Sequence, residues 1–380
     1  MKKIRIAMIG LKGVPAKWGG HEIYAEEAGK RLVKKGHEVT AFCYDNYNKD
    51  YKENEYEGIK IRRVYAGPYR PIEGLVGGLS STSKFLGHRY HVAHLHGYGS
   101  FYYIPLLKKM GIKTLITAHM YDSAWNNPKW GKVARATIKQ AFKIGVTYAD
   151  YVSTVASYIQ QIIQKRYGIS SEVMYSGTNT PIIRTPQIIA AKYGLMGNDY
   201  ILFLGRLDRI KRVDLLIKAY QMLGGCNRKL VIAGGVADTT GYEKELYSLS
   251  DGDPNIIFTG FVHGEIKDEL LTNASFIVSP SINEGLPITV IEAAKYRKAC
   301  LASDIPGHRE VIAYQDGELL FFHVDDIYDF NRKLQRLSKM DQGELDIIGT
   351  HLNDIVTRKF NWDATADKLE AAYFKLLGLS

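Results

Sequence analysis

Apolar residues along this chain gather in short runs, and the segments between them are amphipathic. IRIAMIG (4–10), EVTAFCY (38–44), IKIRRVY (59–65), VAHLHG (92–97), TLITAH (114–119) and YVSTVA (151–156) read as strands. The clearest helix among them is HEIYAEEAGKRLVKKG (21–36). Its first turn is acidic, its last turn is basic and Gly36 closes it, the order that the helix dipole favours. The cycle restarts with YILFLG (200–205), KLVIAGG (229–235), NIIFTG (255–260), SFIVSPS (275–281) and KACLAS (298–303). Strands alternating with helices predict a parallel α/β fold, and the repetition predicts a second sheet. Between the two series, SGTNTPIIRTPQ (176–187) carries two prolines and loses periodicity, which puts a domain boundary near residue 180.

A length of 380 residues fits two such domains. No apolar run reaches the roughly 18 residues of a membrane span, and MKKIRIAMIGLKG lacks the cleavage site of a signal peptide. Cys43, Cys226 and Cys300 are widely separated, which argues against a disulfide framework or a cysteine-built zinc site and for a reducing cytoplasm. The net charge of +10 is uneven: residues 1–180 hold 27 Lys and Arg against 13 Asp and Glu, residues 181–380 hold 23 against 27. A basic first half suggests an acidic surface or ligand facing it, with solvated lysines as the plain alternative. No nucleic-acid-binding pattern accompanies the charge.

In doubly wound sheets the loops that follow the strands carry the chemistry. GLKGVPAKWGG (10–20) follows the first strand and matches neither GxGxxG nor GxxxxGK[ST], so its glycines serve tight turns or close approach to a ligand. Lys17 and Trp18 within it favour a functional reading. GRLDRIKRVDLLIKAY (205–220) sets Arg206 and Lys211 at the opening of a predicted helix, where cations are unfavourable unless an anion lies between them and the helix dipole. A diphosphate would supply that anion. SINEGLPITVIEAAKYRKA (281–299) then places Glu284 and Glu292 about a Gly-Leu-Pro turn, with Pro287 expected in the first turn of a helix. The amides near Gly285 and Leu286 can meet phosphate, and the two acids suit neutral hydroxyls, since a carboxylate accepts two hydrogen bonds from a vicinal diol.

At these residues the chain resembles the family-4 glycosyltransferases of the GT-B fold, which carry an E-x7-E signature, here Glu284 to Glu292. GRLDRIKR, IAGG, PS-x-x-EG-x-P and HREVI (308–312) extend the resemblance over most of the second half. GLKGVPAKWGGHE and TAHMYDSAWNNPKWGKVAR (117–135) are similar to the bacterial rhamnosyltransferase-like branch that acts in surface-polysaccharide assembly. FNWDATADKLEAAYFKLL (360–377) resembles the family's terminal helix, which crosses back to the first domain.

The resemblance implies two Rossmann-like doubly wound parallel-sheet domains facing across a cleft. The expected division is 1–180 with a returning helix at 362–380 for the acceptor, and 181–361 for the nucleotide sugar. It implies retention of anomeric configuration, no metal, and a UDP-, GDP- or dTDP-linked donor. Glu292 is expected on the ribose, Arg206 and Lys211 on the diphosphate, Gly285 and Leu286 on phosphate or sugar, and Glu284 on sugar hydroxyls. Gly19 and Gly20 match the loop that closes on the diphosphate, and His119 matches the family histidine near the transferred sugar. Catalysis would therefore rest on His119, Glu284, Arg206 and Lys211. Lys17, Trp18, Asp122, Trp125, Asn126 and Trp130 suit a saccharide acceptor by stacking and hydrogen bonding.

The expected acceptor is a saccharide, plausibly on a polyprenyl diphosphate at the inner face of the plasma membrane, where the basic half would meet anionic lipid. Four histidines in HRYHVAHLHG (88–97) raise a metal reading, but His94 and His96 fall on one strand face and His91 on the other. Paired glycosidase acids would need a cleft that nothing in the sequence supplies. A GT-B-fold sugar-nucleotide epimerase and a non-catalytic nucleotide-sugar-binding protein remain open as alternatives. Where the family has Gly-x-Pro after its signature helix this chain has Arg297-Lys298-Ala299, and MYDSAW departs from the branch's usual loop.

Overall fold

A computed structural model describes residues 2–17, 19–68, 72–85, 90–121, 131–235, 240–313 and 317–379. The chain divides into two compact units, Met1–Ser176 with Asn361–Ser380, and Gly177–Phe360.

In unit 1 the buried runs become β1 (Arg5–Leu11), β2 (Glu38–Tyr44), β3 (Glu55–Tyr56), β4 (Ile59–Val64), β5 (Val92–Leu95), β6 (Lys113–Ala118), β7 (Tyr151–Thr154) and β8 (Glu172–Val173). They lie in the order β3-β4-β2-β1-β5-β6-β7-β8, and every described pairing is parallel except β3 with β4. Burial on both faces explains why β1, β2 and β6 read as nearly continuous apolar runs. The helix expected at 21–36 spans Gly20–Lys34 and ends in a Schellman cap. There the His37 amide donates to the Leu32 carbonyl at 3.1 Å and the Gly36 amide to Val33 at 2.9 Å, with Gly36 at φ 90°.

The helix Trp362–Leu377 follows unit 2 in sequence yet packs in unit 1 against Gly20–Lys34. Asn361 caps it by accepting from the amides of Asp363 at 2.7 Å and Ala364 at 3.1 Å. Trp362, Ala366, Leu369 and Tyr373 are buried, while Arg31 pairs with Asp363 at 2.7 Å and Lys35 with Asp367 at 2.7 Å and Glu370 at 2.8 Å.

Unit 2 holds β9 (Tyr200–Leu204), β10 (Lys229–Ala233), β11 (Ile256–Gly260), β12 (Phe276–Ser279), β13 (Cys300–Ser303) and β14 (Phe321–Phe322). All are parallel, in the order β11-β10-β9-β12-β13-β14. This is the doubly wound dinucleotide-binding order, in which the sheet grows one way from its first strand and then the other. Periodicity could not reveal β3, β8 or β14, because two residues give no alternation to read.

Pro287 was expected inside the first helical turn; it instead caps the helix Ile288–Lys295. Its ψ of 89° is non-helical, while its carbonyl already accepts from the amides of Val290 at 3.0 Å and Ile291 at 3.2 Å.

Candidate active site

Where an open parallel sheet reverses its winding, the loops beyond the carboxyl ends of two neighbouring strands diverge and leave a crevice. In unit 2 this point lies between β9 and β12, whose following loops carry Arg206, Lys211 and Glu284. The Ile282 amide donates to the Ile210 carbonyl at 2.9 Å, so the two loops are joined by their backbones. A Cβ on Gly234 would stand 1.7 Å from the Gly205 carbonyl oxygen, so the loops after β9 and β10 also touch at glycine.

Lys211 Nζ donates to Glu284 Oε1, and Ser281 Oγ donates to the same oxygen at 2.7 Å. Both members of the ion pair are largely buried, at 18% and 12% side-chain exposure. Burial opposes ionisation of Glu284, but the charge of Lys211 and the hydrogen bonds from Lys211 and Ser281 outweigh it and hold the carboxyl below its ordinary range. The anion expected beside Lys211 is therefore, in this structure, a carboxylate of the same chain. Arg206 is exposed, and its guanidinium has no partner among the described residues.

His308 stands behind this pair on the helix Pro306–Val311 that follows β13. Its Nδ1–H donates to the Ser303 carbonyl at 2.8 Å, and its Nε2 accepts from Ser279 Oγ at 2.8 Å. Burial pushes its pKa down to about 4 against the pull of Glu284, leaving it neutral at pH 7. A Cβ on Gly307 would lie 2.5 Å from the Glu284 carbonyl oxygen, so this helix presses on the backbone of Glu284. The charge and turn pattern that marks Glu284 does not mark His308, inside HREVI, or Ser281. The position of HREVI just beyond a strand end, and of Ser281 three residues before an acid, were the available signals.

Glu292 lies one turn into the helix Ile288–Lys295 and pairs with Lys267 at 2.7 Å. Gly285 and Leu286 are buried just before that helix, and their amides find no acceptor among the described residues.

In unit 1 the reversal lies between β1 and β5. Gly10, the penultimate residue of β1, has φ 87°, and a Cβ there would lie 2.5 Å from the Gly97 amide nitrogen, so glycine is required for conformation and for space. The loop that follows is held by acids of the next helix: Glu22 accepts from the Lys12 amide at 3.1 Å and Glu26 from the Ala16 amide at 2.6 Å. Lys17 pairs with Asp50. Gly19, at φ 171°, is extended and caps the helix that Gly20 begins. Trp18, Asp122, Trp125, Asn126 and Trp130 lie outside the described residues.

His119 follows β6 and is buried among rings. His21 lies 4.4 Å from it between centroids and Tyr24 lies 5.2 Å away edge-on, while His96 Nδ1 is 3.1 Å from His119 Nε2. Burial, with the neighbouring His21 and His94, holds His119 well below the usual imidazole range. Among the described residues no group of three or more His, Cys, Asp or Glu is placed to hold a metal ion, and no helix is long and apolar enough to cross a membrane.

Two parallel-sheet units of this kind, with charged and imidazole groups at their strand ends, are the architecture of the GT-B fold. Comparison with known proteins agrees and gives the family. Residues 18–181 match the family described as Glycosyltransferase Family 4, and residues 187–349 match Glycosyl transferases group 1. The chain belongs to these glycosyltransferases. An uncharacterized glycosyltransferase of Methanocaldococcus jannaschii is 25% identical over 405 aligned residues, covering 97% of this chain and 98% of its own. Sucrose-phosphate synthase of Thermosynechococcus elongatus has the same fold, with a TM-score of 0.84, 21% identity and coverage of 99% of this chain and 100% of its own. So does HepE of Anabaena in complex with UDP-glucose, with a TM-score of 0.78, 15% identity and coverage of 97% of this chain and 98% of its own.

Proposed function

We propose that the chain is a retaining, metal-independent glycosyltransferase that moves a sugar from a nucleotide donor to a saccharide acceptor. The donor is UDP-linked in the first instance, with GDP- and dTDP-linked sugars as competitors. The observation that carries this reading is the Lys211–Glu284 pair beside the exposed Arg206 at the winding reversal of unit 2. A bound diphosphate gives Lys211 a stronger anion and turns Glu284 toward the sugar hydroxyls. Arg206 and Lys211 then stabilise charge on the departing β-phosphate, an effect that grows in the transition state and so raises kcat. The amides of Gly285 and Leu286 add donors for phosphate or sugar, and Glu292 exchanges Lys267 for a ribose diol. In unit 1, His119 meets the transferred sugar, and the loop from Lys17 to Gly20 meets the diphosphate and the acceptor.

Thermal-shift screening against UDP-, GDP-, ADP- and dTDP-sugars tests the donor assignment. A strong dTDP preference would count against Glu292 on the ribose, since deoxyribose offers one hydroxyl fewer. Anomer-resolved product analysis tests the stereochemistry, and inversion would sink the retaining assignment.

The acceptor is assigned as a lipid-linked saccharide of surface-polysaccharide assembly, met at the cytoplasmic face of an anionic membrane. Support comes from the helix Lys132–Tyr148, where Lys132, Lys139 and Lys143 are exposed with Val133 and Tyr148, and from Leu106 on the adjacent helix. Equal flotation with neutral and anionic liposomes would remove the membrane from this account.

A further inference from the structure

The rings beneath His119 are wired in a fixed direction. Ser153 Oγ donates to the Ile116 carbonyl at 3.1 Å, so its single proton is committed. Thr117 Oγ1, 2.8 Å from Ser153 Oγ, must then donate to it. That leaves Thr117 as the acceptor for His94 Nε2–H at 2.7 Å, and His94 Nδ1 as the acceptor for the Tyr373 hydroxyl at 2.7 Å. Every polar atom in this row has a partner, and His94 is fixed as one neutral tautomer.

The second row is different. The rings of His94 and His96 lie 4.1 Å apart, and His96 is fully buried. Its Nε2 has no hydrogen-bond partner among the described residues. Two arrangements satisfy the 3.1 Å contact between His96 Nδ1 and His119 Nε2. If His119 donated, His96 would carry its proton on Nε2, a buried N–H with nothing to receive it. If His96 donates, its Nε2 is a bare lone pair. Orphaned buried donors are rarer than under-satisfied acceptors, because an acceptor in an apolar setting forfeits less.

We infer that His96 is a positioning residue: its Nδ1–H donates to His119 Nε2 and so fixes His119 as the tautomer protonated on Nδ1. His119 then offers a ligand an N–H and no lone pair. It can donate a hydrogen bond to a sugar oxygen, and it cannot take the acceptor's proton as a neutral base. The part of this inference that concerns the reaction rests on the glycosyl-transfer reading; the tautomer does not.

Long-range 1H–15N spectra of histidine-labelled protein read the ring protons directly. The expected result is a protonated Nδ1 and an acceptor-type Nε2 on His119, and a protonated Nδ1 on His96. A His119 protonated on Nε2 overturns the inference. The kinetic test uses His96→Asn, whose amide nitrogen stands near the place of Nδ1, and His96→Leu, which has no donor. Asparagine should keep kcat within about threefold, while leucine lowers it on the order of 10–100-fold, the scale of a lost outer-layer partner. KM for the donor should be unchanged in both. Equal losses in the two variants at matched Tm would reduce His96 to a packing residue. Wild-type protein that transfers no sugar from any donor would sink the functional reading, and the spectrum would still decide the tautomer.

Discussion

The two units share a winding pattern and solve the electrostatics at their strand ends in opposite ways. Unit 1 gathers His94, His96 and His119 where burial strips them of charge, and fixes their protons by hydrogen bonds. Unit 2 buries a full ionic pair, Lys211 with Glu284, and the contact holds the Glu284 carboxyl below its ordinary range. A neutral ring is cheap to bury and supplies a directed hydrogen bond. An ion is costly to bury and is retained where opposite charge must be met. The difference assigns direction to unit 1 and charge to unit 2.

The largest expected effect breaks the ionic half. Lys211→Met should lower kcat on the order of 10²–10³-fold, as for a lost oxyanion donor. It should also cost about 3–5 kcal/mol, because Glu284 is left buried without its partner. Adding Glu284→Gln should recover most of that stability in a denaturant titration and none of the activity.

Next comes the glycine contact that each unit uses to bring its loops together. Gly234→Ala and Gly10→Ala should each destabilise by about 3 kcal/mol, since neither the Gly205 carbonyl nor the Gly97 amide can retreat from a methyl group. Chemical denaturation followed by fluorescence would measure both.

Acid should separate the units further. The folded pKa of His94 is held near 3 and that of His308 near 4 by burial, both below the usual value near 6.5. Below pH 6.5 the unfolded chain therefore binds more protons than the folded one, and stability falls with pH down to those folded values. Each such histidine accounts for about 2 kcal/mol between pH 6.5 and 5. Among the described residues, unit 1 holds three buried histidines of this kind against the one in unit 2. Hydrogen exchange at pH 5 should show unit 1 opening first, and simultaneous opening would erase the contrast.

The smallest effect compares two helix ends. The helix Ile288–Lys295 closes with the same cap as Gly20–Lys34: the Lys298 amide donates to Ala293 at 3.0 Å and the Arg297 amide to Ala294 at 2.9 Å. The residue in the left-handed position, at φ 57°, is Arg297, where unit 1 has Gly36. Arg297→Gly should raise stability by about 1 kcal/mol, and Gly36→Ala should lower it by a similar amount. Thermal melts would read both.

That cap also accounts for a departure from the family pattern that the sequence left unexplained. Gly-x-Pro becomes Arg297-Lys298-Ala299, yet the backbone keeps the turn that glycine would favour. The long strands were legible because burial on both faces leaves an uninterrupted apolar run. Arg206, Lys211 and Glu284 could be nominated singly from charge and turn chemistry. Their pairing could not, because Lys211 and Glu284 are 73 positions apart and meet only once β9 and β12 lie side by side. The same holds for His96 and His119, which are 23 positions apart and stand just beyond the ends of the neighbouring strands β5 and β6. Spacing along the chain put His94 and His96 on one strand face, while the orphaned nitrogen of His96 that orients its contact with His119 is visible only in three dimensions.

The helix Trp362–Leu377 has a consequence for how the chain is made. Unit 2 is one continuous segment, Gly177–Phe360, and can close as soon as that segment has left the ribosome. Unit 1 is begun first and finished last, because Trp362 and Tyr373 fill its core and the Tyr373 hydroxyl completes the row through His94. Until residues 361–379 arrive, the nascent unit 1 has an open apolar face and a buried imidazole lacking its partner. The histidine layer of unit 1 is therefore completed last, after unit 2 has formed.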